Sequence, residues 1–254
     1  KSIGMRVPAH DFTRSVIAAA GEPLWLTSVN RTGTPPLCDP VEIERTFGRE
    51  LEIVVDDGRS PLGTASTVVR CVGKDLEVLR EGILAADDVR RTAAQLVLFV
   101  CTGNTCRSPL AEALARTTIA AALKVAPTDV LARGLWFASA GTGTMNGMPA
   151  SDGSLAIGKE RGIDLSMHRS TELTPELCQR AARIFCLSGS HHSAVLELAP
   201  QVADRTFLLR PDNYGIADPY GGSLHAYRQA ATEIQQALQK RVGDLLQLLP
   251  PAAR

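Results

Sequence analysis

Residues 96–109 of the chain are Leu96-Val97-Leu98-Phe99-Val100-Cys101-Thr102-Gly103-Asn104-Thr105-Cys106-Arg107-Ser108-Pro109. The five apolar residues that open this stretch predict a buried strand, and Pro109 fits the first turn of a following helix. Cys101 and Arg107 lie at the two ends of the loop between strand and helix. A loop that leads from a buried strand into a helix N terminus is typical of anion-binding sites. The stretch therefore predicts an α/β domain with a phosphate-binding loop.

The residue types in this loop suit phosphate chemistry. Backbone N–H groups of residues 102–107 can surround one anion, and the helix dipole adds favourable potential. The same field stabilises a thiolate, so we expect Cys101 to be nucleophilic at neutral pH. Arg107 offers a planar pair of donors for two phosphate oxygens, and Ser108 can donate its hydroxyl to the thiolate. The alternative is a core thiol after a strand, but strand, Gly103, arginine and helix together favour a reactive cysteine.

The second part of the chain alternates between strand and helix patterns. Strands are predicted at residues 96–100, 136–138 and 184–187, with helices from residue 108 to about 123 and up to Gly162. Alternation of this kind predicts a parallel sheet with right-handed crossovers. We therefore expect a C-terminal three-layer, Rossmann-like α/β domain.

The first part of the chain has a different pattern. Asp39-Pro40 is a helix start signal, with an N-cap acid and a first-turn proline. Antiparallel strands joined by short turns are expected to follow. The pattern predicts a smaller α+β domain with helices at residues 11–20 and 40–48 and strands at residues 24–29, 51–55, 67–72 and 76–79.

The charge-rich residues 87–91 mark the change between the two patterns. We place a partial N-terminal domain at residues 1–84, a linker at residues 85–94 and the C-terminal domain at residues 95–254. Because the chain starts at Lys1 and runs directly into structure, we expect it to be a fragment of a longer protein.

Composition excludes several classes of protein. The 254 residues contain 27 Lys plus Arg and 27 Asp plus Glu, so no bulk basic field points to nucleic acid. No apolar run approaches the roughly 20 residues of a membrane helix, and no secretory signal is present. Six cysteines without such a signal are expected to be thiols in a reducing compartment. These features predict a cytoplasmic protein with no membrane partner, and they leave its oligomeric state open.

Val100–Pro109 resembles the signature of the low-molecular-weight protein-tyrosine phosphatases and their relatives. The resemblance covers about residues 95–249. It continues in the family's order and spacing through the segments Ser139-Ala140-Gly141-Thr142, Gly162-Ile163-Asp164-Leu165-Ser166-Met167-His168, Ser190-His191 and Asp218-Pro219-Tyr220-Gly221-Gly222-Ser223. Leu187 and Arg183 depart from residues common in the family, away from the expected chemistry.

The resemblance implies a cysteine-dependent phosphatase of phosphorylated protein side chains, without a metal or a cofactor. Asp218 would be the general acid beside the nucleophile Cys101 and Arg107. Tyr220 would form an aromatic wall, although a loop tyrosine also has a packing explanation. The substrate-binding set would be Thr102, Gly103, Asn104, Thr105, Cys106, Ser108 and Tyr220. The hydrogen bonds that support the loop would come from Asn104, Ser139 and His168.

The phosphorylated residue is expected to be phosphoarginine, and otherwise phosphotyrosine. Thr105 and the segment Gly221-Gly222-Ser223 resemble the protein-arginine-phosphatase branch of the family. Tyrosine-directed members of the family usually carry isoleucine at the position of Thr105. A threonine hydroxyl can bond water or a guanidinium near the phosphorus. Arsenate reduction is a further alternative on this scaffold, but it needs resolving thiols, and Cys178 and Cys186 are better explained as packing.

The first part of the chain resembles the later half of the Sua5/YrdC/YciO family over about residues 1–84. The resemblance is carried by the segments Thr27-Ser28-Val29-Asn30-Arg31-Thr32-Gly33, Ala65-Ser66-Thr67-Val68-Val69 and Val78-Leu79-Arg80-Glu81-Gly82. That family makes threonylcarbamoyl-adenylate from threonine, bicarbonate and ATP for tRNA modification. Ser28 and Asn30 would help to bind nucleotide, or would simply end a strand and begin a turn.

The earlier half of that family has no counterpart before Lys1, so we predict no synthase activity for this chain. A role linked to ATP, threonine or tRNA would belong to a longer parent protein. The rival function is a nucleotide- or tRNA-linked module in which the phosphatase domain is a regulatory anion sensor.

Overall fold

The computed structural model describes residues 3–73 and 75–249. The chain divides into two compact units, residues 1–65 and residues 66–254. Among the described residues, no helix combines the length and the apolar character that crossing a bilayer requires.

The second unit contains a hairpin and a parallel sheet. The hairpin pairs β1 (Val68–Val72) with β2 (Asp75–Arg80) in antiparallel register. The sheet has the strand order β4-β3-β5-β6, and all its neighbouring strands are parallel. These strands are β3 (Gln95–Cys101), β4 (Leu135–Gly141), β5 (Ala181–Cys186) and β6 (Thr206–Leu208).

Helices cover both faces of this sheet. The helices of the unit are α3 (Ala86–Ala93), α4 (Arg107–Leu123), α5 (Asp152–Glu160), α6 (Pro175–Arg180), α7 (Gly189–Leu198) and α8 (Leu224–Gln247), with short 3-10 turns at Pro127–Asp129 and Pro200–Arg205. One apolar core lies between the sheet and α4, α5 and α8, and the other lies between the sheet and α6 and α7. The predicted three-layer α/β class is confirmed.

The central strand β3 is buried on both faces. Val97, Phe99 and Cys101 belong to the core beside α4 and α8, whereas Leu98 and Val100 belong to the opposite core. A parallel strand covered on both sides is apolar at every position, which is why residues 96–100 form a continuous apolar run. The strand therefore ends at a fixed point, and the loop that follows is anchored on a rigid element.

In the first unit, the structure confirms both predicted helices. Helix α1 (Asp11–Ala20) ends at Gly21, whose φ of 71° is the left-handed conformation of a C-cap. Helix α2 (Pro40–Phe47) starts after Asp39, whose carboxylate accepts hydrogen bonds from two backbone N–H groups of the first turn.

The predicted strands at residues 24–29 and 51–55 are wrong. The described residues of the first unit contain no strand, and Trp25 is 98% exposed. β propensity expresses packing against a partner strand or a covering layer, and neither is present at these segments. In this unit only Pro8 is buried among the described residues.

The expected linker is partly helical. Asp87 and Asp88 lie in the first turn of α3, and Arg90 and Arg91 lie in its last turn. Acids near a helix N terminus and bases near its C terminus both complement the helix dipole, so the charge-rich pattern favours a helix. The domain boundaries at residues 84 and 95 stay a prediction.

A pair of fragments tests these boundaries. We expect fragments 66–254 and 85–254 to unfold cooperatively, with melting temperatures within about 4 °C of each other, a difference worth about 1 kcal/mol. The reason is that no residue of β1 is buried, whereas both cores consist of residues from β3 onward. Thermal unfolding followed by circular dichroism is the measurement. A much lower melting temperature for fragment 85–254 would instead assign the hairpin to the C-terminal domain.

Candidate active site

The nucleophile candidate Cys101 is the last residue of β3, and α4 begins six residues later at Arg107. Cys101 is 2% exposed, and its Sγ lies 2.9 Å from Ser108 Oγ. Asn104 Nδ2 donates to the same Ser108 oxygen at 2.8 Å. Because that oxygen already accepts one hydrogen, the Ser108 hydroxyl can direct its own hydrogen at the sulfur. This arrangement stabilises a thiolate.

The carbonyls of the loop are bonded to neighbouring segments. The Cys101 and Thr102 carbonyls accept hydrogen bonds from Thr142 N at 2.9 Å and Gly143 N at 3.1 Å. The Thr105 carbonyl accepts from Ser151 N at 2.9 Å. No described residue accepts a hydrogen bond from the backbone N–H groups of residues 102–106. With the carbonyls turned outward, these N–H groups are free to bind an anion.

Asn104 holds the middle of the loop in a strained backbone conformation. It is fully buried and has a φ of 50°, in the left-handed region that few residues other than glycine adopt. Its Oδ1 accepts from Thr171 N at 2.7 Å, and its carbonyl accepts from His168 Nε2 at 2.7 Å. The structure thus brings Asn104 and His168 together, and their role in supporting the loop stays a prediction.

Ser139 bonds to helix α4 and not to the expected loop residues. Its Oγ donates to Glu112 Oε2 at 2.8 Å, and Glu112 also pairs with Arg116 on the next turn of α4. Among the described residues, the Ser139 side chain does not bond to Asn104 or His168. Sequence reasoning missed Glu112, because an acidic residue in a helix carries no signal for a contact across 27 residues.

Arg107 and Asp218 form an ion pair at the mouth of the loop. The Arg107 side chain is buried, and its Nη2 donates to Asp218 Oδ2 at 2.5 Å. Its Nη1 donates to the Ile216 carbonyl at 3.0 Å, while its buried Nε has no partner among the described residues. Asp218 is about half exposed, at 48%. The fold therefore places an arginine and a carboxylate, 111 residues apart, beside the nucleophile loop.

The remaining predicted binding residues lie on or beside the loop. Thr105 is half-buried, and its Oγ1 lies 3.6 Å from Cys106 Sγ. Cys106 is buried and its sulfur contacts Ser151 Oγ at 3.3 Å and Tyr227 Oη at 3.5 Å. Tyr220 is 77% exposed, so its role as an aromatic wall stays a prediction.

His191 contacts the loop, although sequence reasoning gave it no role. It is 3% exposed, and its Nε2 lies 2.9 Å from Thr102 Oγ1. Burial, with a smaller effect of the Arg107 charge, lowers its pKa to about 4 against the opposing influence of Asp218. The imidazole is therefore neutral at pH 7. The only sequence signal was the family segment Ser190-His191.

Cys178 and Cys186 have a different environment from Cys101. Burial, with a smaller contribution from Glu176, raises the pKa of Cys178 to about 11. Burial, with a smaller contribution from Cys178, raises the pKa of Cys186 to about 12. Both thiols are protonated at neutral pH and are unsuited to nucleophilic chemistry.

Ser28 and Asn30 form a hydrogen bond with each other in the first unit. The Ser28 hydroxyl donates to Asn30 Oδ1, and Asn30 Nδ2 donates to the carbonyls of Arg31 at 3.1 Å and Thr34 at 2.9 Å. These bonds close the turn at residues 30–34. A nucleotide-binding role for this pair stays a prediction.

A cysteine, an arginine and a carboxylate around an anion-binding loop at a strand-to-helix junction define a cysteine-dependent phosphatase. The family model described as "Low molecular weight phosphotyrosine protein phosphatase" matches residues 96–248. A second model, Sua5/yciO/yrdC, described as "Telomere recombination", matches residues 1–82. The chain belongs to the low-molecular-weight protein-tyrosine phosphatase family, and its N-terminal segment matches the second family, as the sequence predicted.

Individual relatives match more than half of the chain. A protein-arginine-phosphatase of Geobacillus stearothermophilus is 36% identical over 155 residues, which cover 59% of this chain and 95% of the relative. The probable low-molecular-weight protein-tyrosine-phosphatase EpsP of Ralstonia nicotianae is 33% identical, covering 56% of this chain and 90% of EpsP. A solved structure of a cysteine-to-serine mutant of YwlE arginine phosphatase, with a phosphorylated active-site serine, matches with a TM-score of 0.54 and 27% identity, covering 63% of this chain and all of that one.

Alkylation distinguishes the three buried thiols Cys101, Cys178 and Cys186. At pH 7.5 we expect iodoacetamide to modify Cys101, while Cys178 and Cys186 react only after unfolding, because their raised pKa values keep them protonated. Mass spectrometry of tryptic peptides gives the rate at each site. The Cys101→Ser variant is the control. Modification of Cys178 or Cys186 in the folded protein at a rate close to that of Cys101 would contradict the assignment.

Asn104 can be compared with a matched residue. Asn213 also has a positive φ, 61°, but it lies exposed in a loop. We expect Asn104→Ala to lower the free energy of unfolding by about 1–3 kcal/mol more than Asn213→Ala, because only Asn104 loses buried hydrogen bonds. Urea unfolding of both variants measures the difference. Equal effects would mean that Asn104 contributes backbone conformation alone.

Proposed function

We propose that the chain is a protein phosphatase that hydrolyses phosphorylated side chains through a phosphocysteine intermediate at Cys101. The observation that carries the proposal is the contact of Cys101 Sγ with Ser108 Oγ, inside a loop whose N–H groups are free and whose arginine meets a carboxylate. The phosphorylated serine in the mutant of YwlE supports a phosphoenzyme step on this scaffold.

In the first step the phosphoryl group occupies the loop, where the backbone N–H groups of residues 102–107 and Arg107 bind its oxygens. The Cys101 thiolate attacks phosphorus as the bond to the leaving group breaks. Asp218, in its acid form, donates its proton to the leaving nitrogen or oxygen. Arg107 stabilises the charge on the equatorial oxygens during the transfer.

In the second step a water molecule attacks the phosphorus of phosphocysteine. Asp218, now a carboxylate, accepts a proton from that water, and the S–P bond breaks to release inorganic phosphate. The returning Cys101 thiolate accepts the Ser108 hydroxyl hydrogen. The positive charge that this chemistry needs comes from Arg107 and the loop amides, and we propose that no metal or cofactor takes part.

We propose phosphoarginine as the preferred substrate and phosphotyrosine as the alternative. Thr105 lies in the loop with its hydroxyl only loosely bound, 3.6 Å from a sulfur, so it can bond to a guanidinium or to water. Relatives of both specificities match similar fractions of the chain, so the choice rests on Thr105 and on the resemblance of Gly221-Gly222-Ser223 to the arginine phosphatases.

Two rival functions have weaker support. Arsenate reduction would require a resolving thiolate, and the raised pKa values of Cys178 and Cys186 oppose that role. The nucleotide- or tRNA-linked role rests on the match of residues 1–82 and on Ser28 and Asn30, whose polar groups already bond to their own turn. A cytoplasmic location is part of the proposal, since the chemistry needs a reduced Cys101.

Phosphate release tests the proposal. We expect wild-type protein to hydrolyse phosphoarginine peptides at least about tenfold better than phosphotyrosine peptides, and Cys101→Ser to release no phosphate from either. Thr105→Ile should reduce or reverse this ratio, because a branched apolar residue removes the hydroxyl and favours an aromatic ring, a change worth about 1–3 kcal/mol. Thr105→Ser, which keeps the hydroxyl, is the matched control.

A preference of the wild type for phosphotyrosine would overturn the phosphoarginine assignment and leave the mechanism intact. Phosphate release that persists in Cys101→Ser would refute the mechanism itself.

A further inference from the structure

The strand-to-helix junction after β5 contacts the nucleophile loop through one histidine. Ser188 is the N-cap of α7, and His191 lies in the first turn of that helix. The His191 ring bonds on both sides, with Nε2 at 2.9 Å from Thr102 Oγ1 and Nδ1 at 2.8 Å from Ser188 Oγ. The contact joins residues 89 positions apart, and the ring is almost fully buried. It therefore restrains the residue that directly follows the nucleophile.

The hydrogen-bond partners favour one direction for each bond. The Thr102 hydroxyl has no other acceptor among the described residues, and we assign it as the donor to Nε2. The ring is neutral, since burial beside Arg107 lowers its pKa to about 4, and a neutral ring carries its hydrogen on the other nitrogen. Nδ1 then donates to Ser188 Oγ, whose own hydroxyl bonds to Ser190 Oγ at 2.8 Å. With this assignment, the hydrogens on Thr102 Oγ1, His191 Nδ1 and Ser188 Oγ each have an acceptor.

The same junction also contacts the loop that carries the acid. A Cβ placed on Gly215 would lie 3.2 Å from Ser188 Cα, so the two backbones are in close contact. Ile216 N donates to the Leu187 carbonyl at 2.8 Å, and the Ile216 carbonyl accepts from Arg107. The start of α7 is thus fixed against both the nucleophile loop and the residues just before Asp218.

We propose that His191 is a positioning residue whose Nε2 accepts the Thr102 hydroxyl hydrogen and thereby orients the first amide of the phosphate loop. The proposal rests on the proposed function for its kinetic consequence. Thr102 N–H is one of the free donors that would bind the phosphoryl group, so a loop released from His191 should bind anions less well and react more slowly.

Variants at position 191 separate the two hydrogen bonds that the His191 ring makes, one to Thr102 and one to Ser188. His191→Gln places an amide oxygen where Nε2 accepts, whereas His191→Asn reaches only as far as Nδ1 and keeps the Ser188 bond alone. We expect His191→Asn to lower kcat/KM about tenfold, the effect of one lost buried hydrogen bond. His191→Gln should retain at least half of the wild-type value. The inhibition constant for inorganic phosphate should rise severalfold in His191→Asn and stay unchanged in His191→Gln.

A double-mutant cycle tests whether the effect passes through Thr102. Thr102→Val removes the hydroxyl and keeps the shape of the side chain. If the Thr102–His191 hydrogen bond is the cause, each single variant should lower kcat/KM about tenfold. The double variant should then show the same tenfold loss and no more. Losses that multiply to about a hundredfold, or a His191→Asn variant with wild-type kinetics, would overturn the proposal.

Nitrogen-15 NMR of the imidazole gives a readout that needs no turnover. At pH 7 we expect a neutral His191 ring protonated on Nδ1, with an Nε2 resonance that shifts in Thr102→Val. A ring protonated on Nε2 would refute the assigned bond. Failure of wild-type phosphate release would reject the proposed function but leave this spectroscopic result and the binding of inorganic phosphate as independent tests of the contact.

Discussion

The phosphate loop depends on one constraint: its N–H groups face inward only if its carbonyls find partners outside. Thr142 N, Gly143 N and Ser151 N supply three of those partners. Two more come from side chains, His168 Nε2 for the Asn104 carbonyl and Ser154 Oγ for the Cys106 carbonyl at 3.2 Å. A buried carbonyl without a hydrogen-bond partner would destabilise the folded loop. The surrounding segments are therefore required for the loop to keep its shape.

The parallel sheet explains why these partners meet at one place. Cys101 and Gly141 are register partners at the carboxyl ends of β3 and β4, so the segment after β4 runs beside the loop. A Cβ at Gly141 would lie 2.5 Å from the Thr102 carbonyl oxygen, which makes glycine necessary there. The end of β5 leads to Ser188 and His191 on the other side. Each neighbouring strand thus delivers one flank of the loop, in agreement with the general position of ligand sites in parallel sheets.

Sequence reasoning succeeded where local signals agreed. The apolar run at residues 96–100, the loop and the start of α4 are encoded within 14 consecutive residues, so the fold of the second unit and its central site were predictable. Glu112 and His191 were missed because each contributes through one long-range bond without a local pattern. In the first unit, the cap signal at Asp39 predicted a helix that the structure contains, but the apolar runs predicted as strands formed no strand without a partner.

The ion pair between Arg107 and Asp218 would have to change when a phosphoryl group binds in the loop. One guanidinium edge is fixed by the Ile216 carbonyl, whereas the other meets Asp218, and a bound phosphoryl group would compete for the second edge. Asp218 is half exposed, so water can replace the lost contact on its side, whereas the buried Arg107 would gain the phosphoryl oxygens in exchange. Because the Ile216 carbonyl also binds the arginine, the proposed mechanism requires the exchange of only one contact to free Asp218 for its proposed role as the acid.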